Sequence, residues 1–262
     1  MRTDIKLSAA IICFNEEDKI AKCLASLIGV ADQVVLIDSH STDKTLEVIH
    51  TFENQLSIKL IQQPFKGYIE QKNDALLACD HDYILSLDAD EALSPKLKES
   101  ILKVKKNWEG EGYRFNRLTG YGDFWVRHCG WYPDTKLRLI RKNCAEWKGV
   151  NPHDILTFKD SKAKVTWIEG DLLHYSYSSI TDHVNQTNRF TTIAAQASYD
   201  KGVRSSLFKI VTRPAFKFLK DYFLKAGFLD GRYGFVICYI NALSAFLKYS
   251  KIYELQKGKS IN

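Results

Sequence analysis

The 262-residue chain has no basic start leading into a long apolar core, no cysteine pair at metal-ligand spacing, no internal repeat and no low-complexity stretch. The first absence argues against a secretory signal. The six cysteines (Cys13, Cys23, Cys79, Cys129, Cys144 and Cys238) are scattered. Cys13 and Cys79 sit in apolar runs and read as buried thiols, which suits a reducing cytoplasm. The most apolar stretch, Phe235–Leu247, contains Asn241 and Ser244, and is shorter than the ~20 residues a spanning helix needs. No recognition motif accompanies the net charge of +6, so nucleic acid is not an expected partner. At this length one α/β domain with an appended segment is expected, rather than two independent domains.

Strand-like and helix-like signals alternate along the first half. Leu7–Cys13, Gln33–Asp38, Ile58–Ile61 and Tyr83–Leu87 are short apolar or β-branched runs. Between them, Lys19–Ile28 places Ile20, Leu24, Leu27 and Ile28 on one helical face. Asp43 can cap a helix carrying Leu46 and Ile49, and Gly67–Cys79 reads as a helix burying Ile69, Leu76 and Leu77. Ser94-Pro95 is a helix start, followed by Leu97, Ile101, Leu102 and Lys105 at helical spacing. Such alternation implies a mostly parallel sheet covered on both faces. The first ~100 residues therefore read as a nucleotide-binding half-domain.

The strand ends carry the chemistry. Phe14-Asn15-Glu16-Glu17 follows the first, Asp38-Ser39-His40-Ser41-Thr42-Asp43 the second, and Asp88-Ala89-Asp90-Glu91 the fourth. Ligands bind beyond the carboxyl ends of strands in open α/β sheets, so these groups converge on one cleft. Hard carboxylate oxygens suit Mg²⁺ or Mn²⁺, which bind through one or two carboxylates plus substrate phosphates. A solvated turn is the competing reading of the acidic cluster. Asp38 can accept hydrogen bonds from a base or ribose, or merely terminate its strand. Lys72, on the helix opened by Gly67, can approach a diphosphate.

With these residues in place the chain resembles glycosyltransferase family 2, with its GT-A fold. The resemblance rests on Phe14-Asn15-Glu16, Asp38-Ser-x-Ser-x-Asp43, Gly67…Gln71-Lys72-Asn73 and Asp88-Ala-Asp90-Glu91. Gly130-Trp131-Tyr132-Pro133-Asp134…Lys136–Arg141 and Gly227-Phe228-Leu229-Asp230-Gly231 resemble the bacterial lipopolysaccharide core subgroup. The resemblance implies a divalent cation on Asp88 and Asp90, with the nucleoside bound through Asn15, Glu17 and Asp38. It also implies inverting attack by an acceptor hydroxyl, which requires a general base. UDP-glucose is the donor expected first, with a lipid-linked glycan as acceptor. A non-catalytic membrane-surface or glycan-binding protein on the same scaffold is the alternative. A sugar-1-phosphate nucleotidyltransferase would be expected to carry a Gly-rich basic loop where Asn15-Glu16-Glu17 stands, and is rejected.

For the base, the subgroup's His-Glu pair falls on His153-Asp154, within Gly149-Val150-Asn151-Pro152-His153-Asp154. Asp154 is the first candidate although its side chain is one methylene shorter. Asp134 is the second, and can instead shape a turn after Pro133. His174 is a candidate metal ligand or phosphate contact, or a satisfied histidine. Of the aromatic residues Trp125, Trp131, Tyr132 and Trp147, only Trp131 and Tyr132 are expected to bind acceptor, because aromatics fill cores more often than they bind ligands. Arg138 and Arg141 alternate with apolar residues on a half-buried strand, and their outward faces are expected to meet phosphate or solvent.

Charge divides the chain unevenly. Arg204–Asn262 holds 11 Lys+Arg against 3 Asp+Glu, and the remainder 26 against 28. The basic tail also carries Phe208, Phe216, Phe218, Leu219, Tyr222, Phe223, Leu224, Phe228 and Leu229, a combination suited to an anionic membrane surface. The alternative is packing of Phe216, Leu219 and Phe223 on the catalytic domain. The expected organisation is a catalytic domain over 1–203, with a nucleotide-sugar half at 1–107 and an acceptor half at 108–203. A helical membrane-associating tail follows over 204–262. The expected location is cytoplasmic, peripheral at the inner face of the membrane.

Overall fold

The computed structural model describes residues 4–150 and 153–261. In chain order its strands and α-helices are β1 (Leu7–Cys13), α1 (Ile20–Leu27), β2 (Gln33–Asp38), α2 (Thr45–His50), β3 (Ile58–Gln62), α3 (Tyr68–Ala78), β4 (Tyr83–Asp88), β5 (Glu91–Leu93) and α4 (Pro95–Lys106). Then come β6 (Gly112–Tyr121), β7 (Phe124–Trp125), β8 (Asp134–Arg141), β9 (Ala145–Val150), β10 (His153–Phe158), β11 (Val165–Tyr177), α5 (Ile180–Asp200), α6 (Leu207–Leu219) and α7 (Gly231–Gln256). The chain forms two compact units. One comprises the residues up to Arg117 with Asp134–His174, the other Leu118–Pro133 with the residues from Tyr175 onward.

The first unit is a mixed, mostly parallel sheet in the order β3-β2-β1-β4-β8-β6-β11-β5, the α/β arrangement that the resemblance to the GT-A fold implies. The first four strands are parallel, and β8 joins β4 antiparallel. Period-two alternation divides β1 between two cores. Leu7, Ala9 and Ile11 pack with Leu24 and Leu27 of α1 and Ile101 of α4. Ala10 packs on the opposite face with Ala75 and Leu76 of α3. Apolar residues on both faces are what parallel strands covered by helices require.

One helix departs from simple hydrophobic patterning. On α3, Leu77 was expected inward but is 67% exposed, while Gln71 and Lys72 are buried with Ala75 and Leu76. The helix is rotated to bring polar groups to the site, leaving Leu77 outside the buried stripe. On α4, Ser94 Oγ accepts the Leu97 N–H at 3.2 Å and the Asp171 N–H at 3.1 Å. Gly170, at φ +111°, lies so close that a Cβ there would sit 2.3 Å from Leu97 N, so glycine is required.

The second unit is largely helical. The end of β6 pairs with β7, and Tyr121, Val126, Cys129, Ile237 and Cys238 form its core. A π-helical turn spans Lys220–Leu224 and a 3₁₀ turn Gly227–Asp230. Asp230 accepts the backbone N–H groups of Arg127 and His128 and pairs with His128 Nδ1 at 2.6 Å. A Cβ on Gly227 would lie 2.6 Å from Cys238 Sγ. The Gly227–Gly231 motif is thus an internal anchor of this unit. α6 buries none of its residues fully. Phe208, Val211, Phe216, Leu219 and Leu224 on and just beyond it are each more than half exposed. No helix among the described residues is long and apolar enough to cross a membrane.

Candidate active site

β4 delivers Asp88 to the carboxyl edge of the sheet, and Ala89-Asp90 turn the chain into β5 at Glu91. Glu91 closes that turn: it is fully buried, and its Oε2 accepts the Asp88 N–H at 3.0 Å. β11 pairs antiparallel with β5, placing His174 opposite Glu91. His174 Nε2 therefore comes within 3.2 Å of Asp90 Oδ2.

Three consecutive residues of α3 reach three different parts of the site, since successive helical side chains diverge by about 100°. Gln71 donates to Ser39 Oγ at 2.6 Å, fixing the loop after β2. Lys72 Nζ bridges Asp88 Oδ1 at 2.7 Å and Asp154 Oδ2 at 2.6 Å. Asn73 exchanges hydrogen bonds with the Trp147 backbone, donating to its carbonyl at 2.9 Å and accepting its N–H at 2.8 Å. β9 and β10 pair with Asp154 opposite Gly149, so the Asn73 clamp on β9 also locates Asp154. Asn151 and Pro152 of the Gly149–Asp154 motif lie outside the described residues.

Arg138 continues the chain of charges. Its Nη2 is 3.1 Å from Asp88 Oδ2 and 2.8 Å from Glu91 Oε1. Arg117 follows, 3.5 Å from Glu91 Oε1 and 2.8 Å from Asp134 Oδ2, and Lys136 lies 2.9 Å from Asp134 Oδ1. Asp154, Lys72, Asp88, Arg138, Glu91, Arg117 and Asp134 thus alternate in sign without a break. The indole of Trp147 backs this row, with Lys72 Nζ 4.2 Å and the Arg138 guanidinium 5.0 Å from its ring centre. Arg138 is 3% exposed. The outward, phosphate- or solvent-facing role expected of it is replaced by an internal one, while Arg141 is exposed.

These contacts set the protonation states. For Asp88, burial works to raise the pKa, but Lys72 and Arg138 hold the carboxyl far below the usual carboxylate range. For Lys72, burial works to lower it, but Asp88 and Asp154 outweigh that and the ammonium is retained. At Asp90 burial is opposed by His174, and the net direction is down. At Asp134 burial is outweighed by Lys136 and Arg117, and the direction is again down. A carboxylate engaged on both oxygens and lowered in pKa is a weakened proton acceptor.

Among the described residues no three His, Cys, Asp or Glu side chains converge as a ready-made metal site. Asp90 and His174 nevertheless meet as a carboxylate oxygen and an imidazole nitrogen, and the buried His174 Nδ1 has no hydrogen-bond partner. Asp88 is two residues from Asp90. This donor set fits a hard dication that completes its shell with water and substrate phosphates.

Asn15, Glu17 and Asp38 gather where β1 and β2 end. Asn15, at φ +53°, donates its N–H to Ser41 Oγ at 3.0 Å, and its Oδ1 accepts the Thr42 N–H at 2.8 Å. Glu17 Oε2 accepts the Lys44 N–H at 2.8 Å. Asp43 Oδ1 accepts the Thr45 N–H at 2.9 Å, the capping role expected of it. Asp38 is fully buried, and its carboxylate accepts the Ser41 N–H at 3.0 Å and the Ser41 hydroxyl at 2.5 Å. It shapes the 39–45 loop from beneath. Trp131 and Tyr132 belong to the second unit. There Trp131 packs 5.5–5.7 Å from His183 and Tyr177, and Arg127 lies over the Tyr132 ring at 5.8 Å.

Reading the sequence missed Gln71, Arg138 and Glu91 as organisers of the site. A buried-type apolar strand interrupted by arginine, as at Leu137-Arg138-Leu139, was the available signal for one of them.

The model for "Glycosyl transferase family 2" matches residues 8–159. An uncharacterized glycosyltransferase of Rickettsia typhi is 33% identical over 95% of this chain and 87% of its own length. The lipopolysaccharide core biosynthesis glycosyltransferase LpsC of Rhizobium meliloti is 30% identical over 95% of this chain and 93% of its own. Among solved structures, S. aureus TarS 1–349 in complex with UDP-GlcNAc aligns with a TM-score of 0.46 at 15% identity, covering 98% of this chain and 93% of that one.

Proposed function

This chain belongs to glycosyl transferase family 2 and is a glycosyltransferase, and on that premise we propose that it moves a hexose from a nucleoside-diphosphate sugar to a lipopolysaccharide-core or related lipid-linked glycan, with inversion. UDP-glucose is the first donor to test. The observation that carries the reading is the acidic turn Asp88–Glu91 at the sheet edge, held by Lys72 and Arg138 and joined to His174. The acceptor class is supported by the name of the Rhizobium relative.

Asp88, Asp90 and His174 are the residues that would hold a divalent cation, Mn²⁺ or Mg²⁺. When bound, such a cation neutralises charge developing on the leaving diphosphate. Asn15, Glu17 and Asp38 receive the nucleoside, and Lys72 meets the diphosphate. Asp154 accepts the proton of the acceptor hydroxyl as that oxygen bonds to the anomeric carbon and the bond to phosphate breaks. Asp134 is the second candidate for this role. Trp131 and Tyr132 are assigned to the acceptor. Residues 204–262 serve as the membrane-associating segment beside the catalytic residues 1–203, locating the enzyme peripherally at the inner face of the cytoplasmic membrane.

The test is transfer of labelled glucose to truncated lipopolysaccharide with Mn²⁺, Mg²⁺ or chelator. Asp90→Asn is expected to lower turnover by at least about 100-fold while circular dichroism stays unchanged. Near-normal turnover in that variant would remove the metal role.

A further inference from the structure

Lys72 occupies both aspartates that the proposed chemistry needs. Its ammonium is 2.7 Å from Asp88 and 2.6 Å from Asp154, and its side chain is 8% exposed. Arg138 takes the second oxygen of Asp88. Both oxygens of the first metal-site carboxylate are therefore engaged by cations in the ligand-free protein. A dication approaching Asp88 alone would be forced close to two like charges.

The two cations differ in their freedom to leave. Arg138 is tied to Glu91 at 2.8 Å as well as to Asp88. Lys72 ends a flexible four-carbon stem with three rotatable donors, whereas guanidinium is a rigid fork. Lys72 also neighbours Gln71, which holds the loop after β2 through Ser39, so it lies on the helix that borders the donor side. Asp88, Glu91 and Asp154 pair with Lys72, Arg117 and Arg138, three carboxylates against three cations. A dication alone would tip this near-balance toward positive charge, and a diphosphate would restore it.

We propose that Lys72 is an exchange latch that leaves Asp88 and Asp154 for the donor's diphosphate, so that cation and diphosphate load together and Asp154 is uncovered only when the donor is present. The inference rests on the metal-dependent transferase reading above. It makes Lys72 a positioning residue that couples two ligands, and such coupling is reciprocal in binding free energy.

Calorimetry on the full chain tests it, with Mn²⁺ alone, UDP alone, and each in the presence of the other. In the wild type, saturating UDP is expected to tighten Mn²⁺ at least tenfold, and Mn²⁺ to tighten UDP equally. In Lys72→Met, Mn²⁺ alone is expected to bind several-fold more tightly than in the wild type, UDP more weakly, and the coupling to fall below threefold. Circular dichroism checks the fold, and Lys72→Gln replaces Lys72→Met if the latter does not fold. Strong Mn²⁺ binding to the wild type without UDP overturns the latch, as does undiminished coupling in the Lys72 variant, and both leave the transferase reading standing. A wild type that binds UDP in neither condition overturns the latch and the metal-dependent reading together.

Discussion

Lys72 joins Asp154 to Asp88, with its ammonium 2.6 Å from one carboxylate and 2.7 Å from the other. Asp134 is bound differently: Arg117 holds one oxygen and Lys136 the other, and its pKa lies below the usual range because these cations outweigh burial. The two candidate bases are therefore unequal. Asp154→Asn is expected to lower kcat by about 10²–10⁴-fold. Asp134→Asn should cost less than about tenfold in kcat, below the range of acid–base effects. Steady-state kinetics on the two variants decides, and the reverse ranking would transfer the base role to Asp134.

Arg138 is nearly sealed from solvent between two carboxylates, one of them the fully buried Glu91. Removing one partner of a buried pair leaves an uncompensated charge, a loss of about 3–5 kcal/mol. Arg138→Met is expected to destabilise by that amount in urea unfolding. The double variant Arg138→Met/Glu91→Gln should recover part of it, because the stranded carboxylate is gone. Strictly additive losses would show that the two residues are not coupled.

Why some of this was legible in the sequence and some not follows from the range of the interactions. β1 and β2 were read with the bounds they have, because uninterrupted apolar runs report parallel strands directly. Asp88–Glu91 was legible because a strand end and its acidic turn are adjacent in the chain. Arg138 was misread because its partners lie 47 and 50 residues away, and only the antiparallel docking of β8 on β4 makes an arginine there internal. Leu77 failed for a related reason. Hydrophobicity favoured burying it, but Gln71 and Lys72 each gain buried polar partners, and the helix is set by those. Asp38 was legible as a strand-end carboxylate, but its contacts with Ser41, three residues on, were not, because they depend on the path of the loop.

Asp32 anchors the start of the sheet, accepting the Leu7 N–H at 2.8 Å and the Lys105 ammonium at 2.7 Å. Burial works to raise its pKa, but the hydrogen bonds from Lys105 and Leu7 outweigh that and lower it. A carboxyl depressed in the folded state contributes stability in full above its unfolded pKa, and loses that contribution as pH falls through the folded value. Asp32→Asn should therefore cost about 1 kcal/mol at pH 7, with the gap from the wild type narrowing below about pH 4. Urea unfolding at pH 7, 5, 4 and 3 measures it. A gap that is constant with pH would mean the charge of Asp32 contributes nothing.

α6 and the turn after it expose Phe208 (76%), Phe216 (73%) and Leu224 (82%), on a segment that also carries Lys209, Arg213, Lys217 and Lys220. Apolar anchors among basic residues partition to anionic bilayers through both buried area and charge. Half-burying each large side chain in the interface is worth about 1 kcal/mol, so the triple variant Phe208→Ser/Phe216→Ser/Leu224→Ser should bind phosphatidylglycerol vesicles roughly 100-fold more weakly. Because the three side chains are already exposed, its urea midpoint should stay near that of the wild type. Charge acts alongside: raising salt from 0.1 M to 1 M, which shortens the screening length from about 10 to 3 Å, should weaken wild-type binding and affect the triple variant in the same proportion. Vesicle flotation gives both numbers. Unchanged flotation of the triple variant would mean that these apolar side chains do not enter the bilayer and that any membrane attachment is electrostatic alone.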